Sequence, residues 1–146
     1  MSIINLFAQL KETLKVSMIY ITHDLATAYY LSDRIAIMFR GDVVELGPVQ
    51  KVVLQPLHPY TKALVESIPR SDPDKRWVEK VKLSTLEAKE YSKIGCKFSD
   101  RCPWAQEVCR AVAPEERPVD DRTVRCHRAE ELVGVHGAVA SGKESS

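Results

Sequence analysis

The stretch Val16-Ser17-Met18-Ile19-Tyr20-Ile21-Thr22-His23-Asp24-Leu25 is a short apolar run that ends abruptly in polar and ionisable residues. The apolar, β-branched and aromatic content of residues 16–21 predicts a buried strand, and residues 26–31 beyond it predict a helix. Ligands of open α/β sheets bind at the carboxyl ends of such strands. His23 is therefore a candidate contact for a phosphate oxygen or an attacking water, because histidine can donate or accept a proton near neutral pH. The alternative interpretation is a surface histidine in a strand-to-helix turn.

Local patterns predict further short elements on both sides of this stretch. Apolar residues at spacings of three and four predict an amino-terminal helix that ends near Lys15 and packs beside the strand. Two more strands are expected at 34–39 and 43–46, joined by a tight turn in which Gly41 suits a positive φ. Short helices are expected at 49–54 and 61–68.

Composition restricts the class of protein. The chain has 146 residues, 45% of them hydrophobic and 28% charged, and a formal net charge of +1, which is typical of one globular domain. Because the charges are evenly mixed, a nucleic-acid-binding surface is not expected. The amino terminus does not resemble a signal peptide and no run of 18 apolar residues occurs, so we expect a cytosolic chain without a transmembrane segment.

The four cysteines are Cys96, Cys102, Cys109 and Cys126, with five, six and sixteen residues between them. In the cytosol such cysteines are metal ligands or free thiols more often than disulfides. Four thiolates can close a tetrahedral zinc site or hold an iron–sulfur cluster, and either would stabilise a segment of roughly 50 residues that has little core of its own. The spacing does not decide between a cluster, zinc and metal-free cysteines. His127 is a possible substitute ligand.

The last residues contain a formal phosphate-loop pattern, GxxxxGK, at 137–143. We interpret it as accidental, because Glu144 follows where Ser or Thr is required and too few residues remain for the helix that directs its amides at phosphate. Residues 131–146 are expected to form a disordered tail.

The order of these motifs resembles the carboxy-terminal part of the ATP-binding subunit of a dipeptide/oligopeptide ABC transporter. Residues 21–25, 31–38 and 41–48 are similar to the final third of an ABC nucleotide-binding domain. The sequence His58-Pro59-Tyr60-Thr61, followed by residues 68–73, resembles the carboxy-terminal extension of peptide-importer ATPases. The residues around the four cysteines also match the family's pattern, whereas residues 74–94 depart from its usual proline-rich link.

The resemblance implies specific roles. His23 would be the switch histidine that contacts the γ-phosphate of ATP, with Mg²⁺ bound elsewhere in the parent subunit. The four cysteines would hold a [4Fe–4S] cluster. A second ABC ATPase subunit and membrane permease subunits would be partners, so that the protein would lie peripherally on the inner face of the cell membrane.

We therefore predict an α/β fold with three regions. Residues 1–55 are the carboxy-terminal remnant of a P-loop ABC ATPase domain, 56–130 are an irregular extension with the four-cysteine site, and 131–146 are the tail. Since neither a genuine phosphate loop nor the magnesium-site acids are found, we expect a fragment, or a truncated or split reading frame, that is inactive alone. The alternative function is a freestanding metal-binding or redox module built on a cassette remnant.

Overall fold

The computed structural model describes residues 2–68 and 88–137. Its helices are α1 (Ile3–Leu14), α2 (Leu25–Leu31), α3 (Val49–Leu54), α4 (Pro59–Glu66), α5 (Glu107–Ala111) and α6 (Ala129–Gly137). Its strands are β1 (Arg34–Phe39), β2 (Asp42–Pro48), β3 (Arg117–Val119) and β4 (Arg122–Val124). Residues 88–91 are also helical. In the described parts of the chain, no helix is long and apolar enough to cross a membrane.

The hairpin formed by β1 and β2 follows the sequence closely. The two strands pair antiparallel from Arg34↔Pro48 to Phe39↔Asp42. Arg40 and Gly41 at the turn both have positive φ, at 48° and 88°, which suits the right-handed twist of a tight hairpin. The predicted strands, the turn at Gly41 and helix α3 are thus confirmed.

The sheet also contains strands that local patterns did not predict. β4 pairs antiparallel with β2, in the register Glu45↔Val124, and β3 pairs with β4, so the strand order is β1-β2-β4-β3. Each added strand has only three residues, too few for a clear alternation of apolar and polar side chains. The extension that was expected to be irregular therefore completes one small antiparallel sheet with the first region, and the mixed helix and strand content agrees with the predicted class.

The predicted buried strand at residues 16–21 is wrong. These residues have no strand assignment, and the side chains of Ile19 and Ile21 are 96% and 92% exposed. A strand needs a hydrogen-bonded neighbour, and within residues 2–68 and 88–137 no strand pairs with this stretch. Helix α1 is present as predicted but contacts α2 instead. Five of its large apolar side chains stay 38–72% exposed, namely Ile3, Leu6, Phe7, Leu10 and Leu14.

Two apolar cores hold the fold together. The first contains Phe39, Val44, Val52 and Phe98, with the rings of Phe39 and Phe98 in edge contact at 5.4 Å. The second lies under β4 and α6; its buried members are Leu57, Val124, Cys126, Ala129 and Leu132. Cys96 and Cys102 pack against the first core, so the cysteines lie where the two cores approach each other.

Two helices differ from the expected boundaries. α4 begins at Pro59, two residues early, because proline at the first position already has helical φ and the His58 side chain caps the helix by accepting the Tyr60 N–H. α6 continues through residues 131–137, which were expected to belong to a disordered tail. The burial of Leu132 in the second core supplies the packing energy for this helix.

Candidate functional site

The four cysteines line one cavity, which we call the cysteine cavity. Cys96 and Cys102 come from the loop before α5, Cys109 lies within α5, and Cys126 follows β4. All four are free thiols. The remaining lining residues are His58, Pro59, Phe98, Ser99, Trp104, His127, Arg128 and Leu132. The fold thus brings together all four residues that the sequence proposed as one site.

A close backbone approach beside Gly95 joins two of the cysteine-bearing segments. The N–H of Cys96 donates to the carbonyl of Cys109 at 2.7 Å. A side chain at Gly95 would collide with the backbone oxygens of Cys109 and Arg110, so only glycine allows the two segments to approach this closely. Gly95 therefore positions the first and third cysteines relative to each other.

Backbone N–H groups surround the sulfurs. A backbone hydrogen bond lowers the pKa of three thiols, which indicates a donor aimed at the sulfur. The donor and thiol pairs are Phe98 and Cys96, Trp104 and Cys102, and Arg128 and Cys126. In addition, the N–H of Gln106 lies 3.5 Å from Sγ of Cys109. Each sulfur thus has a backbone N–H donor beside it.

Burial acts in the opposite direction and is stronger. It raises the pKa of the Cys96, Cys102 and Cys126 thiols, that of Cys126 to about 11, and the neighbouring thiols raise these pKa values further. A cation placed among the sulfurs would reverse this balance, because thiolates are the form that binds metals.

The donor set can be compared with what a metal requires. Four sulfurs with backbone donors suit zinc or an iron–sulfur cluster in chemical type. However, in residues 2–68 and 88–137 no three or more His, Cys, Asp or Glu side chains are arranged so that they could hold a metal ion. The arrangement of the side chains therefore gives no support to the predicted [4Fe–4S] cluster or to zinc, and both stay predictions.

His58 is a buried member of the cavity that the sequence analysis did not single out. Its Nδ1 accepts the Tyr60 N–H at 3.0 Å, and its side chain is 1% exposed. Burial lowers the pKa of His58 to about 4, and a hydrogen bond with the backbone of Arg125 opposes this lowering. The available signal was a histidine directly before a proline at a helix start.

A buried ion pair holds the segment that carries His58. Glu45 accepts the N–H groups of Leu57 and His58, the latter at 3.0 Å, and faces the guanidinium of Arg122. Burial raises the pKa of the Glu45 carboxyl, while these donors lower it. Glu45 lies between apolar residues in the sequence, so its role as a buried partner of Arg122 was not predicted.

His23 lies apart from the cysteine cavity. Its side chain is exposed in the turn before α2, and it is not among the residues that line the cavity. The next residue, Asp24, caps α2 by accepting the Ala26 N–H at 3.0 Å, as the sequence allowed. The phosphate-sensing role of His23 stays a prediction.

Two further features of the sequence were His127, as a possible substitute ligand, and the phosphate-loop pattern at 137–143. His127 lines the cavity, but its Nε2 is 2.8 Å from the Val112 carbonyl, which engages one of its two ring nitrogens. The phosphate-loop pattern at 137–143 lies outside the described residues except for its first glycine.

A known protein family matches the segment that contains Glu45, His58 and three of the four cysteines. Residues 44–109 match the family described as the oligopeptide/dipeptide transporter, C-terminal region. The match begins beside Glu45, includes His58 and contains Cys96, Cys102 and Cys109, whereas Cys126 lies beyond it.

Curated relatives extend the similarity along the chain. The di/tripeptide transport ATP-binding protein DppF of Pseudomonas aeruginosa is 37% identical over 133 residues, which cover 90% of this chain and 41% of the relative. The oligopeptide transport ATP-binding protein OppF of Salmonella typhimurium is 39% identical over 134 residues, covering 89% and 40%. A putative peptide import ATP-binding protein of Brucella abortus is 39% identical over 126 residues, covering 86% and 37%.

The chain thus spans about two fifths of the length of the curated relatives it matches. The predicted resemblance to the carboxy-terminal part of a peptide transporter's ATP-binding subunit is confirmed, and it is strongest in kind at residues 44–109, which match the C-terminal-region family of oligopeptide/dipeptide transporters.

Proposed function

We propose that this chain forms the carboxy-terminal part of an ATP-binding subunit that energises an ABC importer of di- or oligopeptides. The observation that carries the proposal is the family match at residues 44–109, set within a similarity to peptide-transport ATP-binding proteins that covers most of the chain. The complete subunit would bind ATP and Mg²⁺, pair with a second ABC ATPase subunit and dock on membrane permease subunits from the cytoplasmic side.

Within this proposal His23 is the residue that contacts the γ-phosphate. Its exposed imidazole is available to a ligand, whereas the neighbouring Asp24 carboxylate is already used by the cap of α2. The hydrogen bond from the Thr27 hydroxyl lowers the pKa of Asp24 most, and backbone N–H donors add to this effect. A neutral, orientable imidazole suits phosphoryl transfer, which depends on positioning and on stabilisation of charge.

A chimeric transporter tests the proposal. The two fifths of Salmonella OppF that align with this chain are replaced by residues 1–137, and peptide-dependent growth and membrane ATPase activity are measured. We expect the chimera to support uptake and the His23→Ala chimera to lose it. The matched control is Gln50→Ala, which truncates an exposed side chain of α3 and should leave uptake unchanged.

The outcomes separate two claims. A chimera that assembles with the permeases but transports nothing, with His23 intact, contradicts the assignment of the chain to such a subunit. A chimera whose uptake survives His23→Ala contradicts only the role of that histidine.

For the cysteine cavity we propose a bound metal, a [4Fe–4S] cluster or zinc, held by Cys96, Cys102, Cys109 and Cys126 as a structural or regulatory appendage. The proposal rests on the chemical type of the donors, since all four cysteines line one cavity and each sulfur has a backbone N–H nearby, and not on the present arrangement of the side chains. When bound, the metal would hold the thiolate forms and tie the segment before α5 to the end of β4. The alternative of a freestanding redox module is less favoured, because relatives match 86–90% of this chain rather than the cysteine segment alone.

Anaerobic purification of the full chain, with iron, sulfide and zinc quantified, tests this proposal. Iron with sulfide and a visible absorption that bleaches in air would support a cluster, and zinc without colour would support a structural zinc. The Cys109→Ser variant should lose the metal, while Ser99→Ala, on the same cavity wall, should retain it. A metal-free wild-type chain with four titratable thiols would contradict the proposal.

A further inference from the structure

Residues 97–105 form a loop whose two ends are held close together. The N–H of Cys96, directly before the loop, donates to the carbonyl of Cys109 at 2.7 Å, so the chain leaves the fold and returns to it at nearly the same place. No residue of 97–105 belongs to a helix or a strand. Compact loops with adjacent ends are frequently functional, and we call this one the 97–105 loop.

The 97–105 loop forms one wall of the cysteine cavity. It contributes Phe98, Ser99, Cys102 and Trp104 to the lining, while the other lining residues lie outside the loop. Every residue that lines the cavity is buried or half-buried. Displacement of the loop would therefore open the cavity, and it would leave the pairing of the four strands unchanged.

The loop is anchored by one aromatic side chain and by polar contacts. Phe98 is 6% exposed, and its ring centroid lies 5.4 Å from that of Phe39 in the first core. At the far end of the loop, the Trp104 carbonyl accepts from Arg128 at 3.2 Å, and Nζ of Lys62 lies 5.0 Å from the Trp104 ring. A segment with few buried apolar contacts and no regular secondary structure is among the parts of a protein that open most readily.

The buried carboxylate of Glu90 ties the loop to the β1-β2 hairpin. The Glu90 side chain is only 1% exposed. Its Oε1 lies 2.5 Å from Nε of Arg101, in the loop, and its Oε2 accepts from Nε of Arg40, in the hairpin turn, at 2.8 Å. Because a buried carboxylate is unfavourable without compensating positive charge, the closed position of Arg101 is stabilised by Glu90.

The hairpin turn offers the loop a second contact beside Glu90. Nζ of Lys97, the first residue of the loop, donates to the Arg40 carbonyl at 2.8 Å and lies 3.3 Å from the Asp42 carboxylate. Arg40 has a left-handed φ of 48°. Arg40 thus contributes its guanidinium to the contact with Glu90 and its carbonyl to the contact with Lys97.

We propose that the 97–105 loop is a lid on the cysteine cavity and that Glu90 is the latch that keeps this lid closed. Release of Arg101 from Glu90 and of Phe98 from the first core lets the loop swing away while its two ends stay in place. The open form gives a ligand of the cysteines a route into the cavity. Glu90 is a positioning residue, because it acts through Arg40 and Arg101. The lid does not require the metal proposed above, since its contacts are made by other residues.

Amide hydrogen exchange, measured by NMR on the full chain with its cysteines kept reduced, tests the lid. The reporters in the loop are the N–H groups of Ser99 and Arg101, which donate to the carbonyls of Cys96 and Phe98 at 3.0 Å. The reporters outside the loop are the N–H groups of β2, which pairs with a strand on each side. A variant that releases only the lid should speed exchange at the first reporters and not at the second.

We expect Glu90→Gln to speed exchange at the Ser99 N–H about tenfold or more, because hydrogen bonds to a charged group are stronger than neutral ones. Exchange in β2 should change by less than about threefold. Arg101→Gln should act in the same direction as Glu90→Gln. The matched control is Glu116→Gln, which makes the same change of charge at an exposed carboxylate 3.8 Å from Arg125 and should match the wild type.

The double variant of Glu90→Gln and Arg101→Gln separates a latch from two independent effects. If the two residues act through one contact, the double variant should speed exchange in the loop by about the same factor as Glu90→Gln alone. Multiplication of the two single effects would contradict the latch.

Two further results would overturn the proposal. One is unchanged exchange in the loop of a folded Glu90→Gln variant. The other is an equal rise in the loop and in β2, which would mean that Glu90 stabilises the whole fold. If Glu90→Gln does not fold, Arg101→Gln decides by the same two criteria. Metal is quantified in every sample, so a metal-free chain with the expected exchange pattern supports the lid and contradicts only the metal site.

Discussion

Arg122 and Glu45 form a buried ion pair between β4 and β2, with Nη1 3.4 Å from Oε1 although the residues are 77 positions apart. The same guanidinium donates to the carbonyls of Lys51 and Gln55. Glu45 in turn receives the N–H groups of Leu57 and His58. One pair thus joins the hairpin, the end of α3 and the start of α4.

We expect Arg122→Ala to lower the free energy of unfolding by about 3–5 kcal/mol, because it leaves the buried Glu45 carboxylate without its counter-charge. Urea denaturation at neutral pH measures this change. Arg117→Ala is the control, since it removes an exposed arginine from the neighbouring strand and should change the free energy by less than about 0.5 kcal/mol. A loss below about 1 kcal/mol for Arg122→Ala would contradict the pair's structural role.

A second prediction concerns the close approach at Gly95. Gly95→Ala should lower the free energy of unfolding by about 1–3 kcal/mol, because the new methyl group meets the rigid backbone of Cys109 and Arg110. Thermal unfolding followed by circular dichroism is the measurement. Gly41→Ala is the comparison: no atom lies within 4 Å of the added methyl, so only the strain of its φ of 88° contributes. Only Gly95→Ala should displace the cysteines relative to one another. We therefore expect this variant, and not Gly41→Ala, to alter the thiol alkylation rates.

Acid should destabilise the chain through His58. Its pKa in the folded protein is about 4, below its ordinary value of 6.5, so the unfolded chain binds more protons between these pH values. Stability is therefore complete above about 6.5 and falls as the pH is lowered toward 4, by at most about 3 kcal/mol. Urea denaturation across this pH range should show the fall in wild type and a smaller fall in His58→Asn. Burial raises the pKa of Glu45 in both proteins, so its opposite contribution largely cancels in the difference.

His23→Ala should leave stability unchanged. The side chain is exposed, so its truncation removes little packing, and we expect a change in the free energy of unfolding below about 0.5 kcal/mol. Urea denaturation of the isolated chain checks this. A large loss would mean that His23 stabilises the fold, and a transport defect in the chimera could then no longer be attributed to phosphate contact.

Local signals in the sequence were sufficient for the hairpin and its flanking helices. Gly41 lies in the turn and Pro48 ends β2, and each residue affects the backbone only of its near neighbours in sequence. The stretch at residues 16–21 has equally strong local character but no paired neighbour in the described residues, so its apolar pattern gave the wrong structure. A strand depends on a partner that the local pattern does not contain.

The sequence was sufficient to predict the cysteines of the candidate site, but not the residues that hold the surrounding segments in place. Cysteine is rare and its chemistry is specific, so the four positions stood out before any fold was known. Glu45 and Arg122 are common residue types that meet only after β4 has paired with β2. His58 required knowledge of which of its two nitrogens caps α4.

The pairing of β4 with β2 also has a consequence for the order of folding. The β1-β2 hairpin closes over a two-residue turn. The pairing of β2 with β4, in contrast, must close a loop that is about ten times as long as β2 itself. We therefore expect the hairpin to form early and to act as the template on which the carboxy-terminal residues assemble. Cys126 would reach the other three cysteines only in this late step. During synthesis the other three thiols are therefore made first, and they stay exposed until the residues that follow them enclose the cysteine cavity.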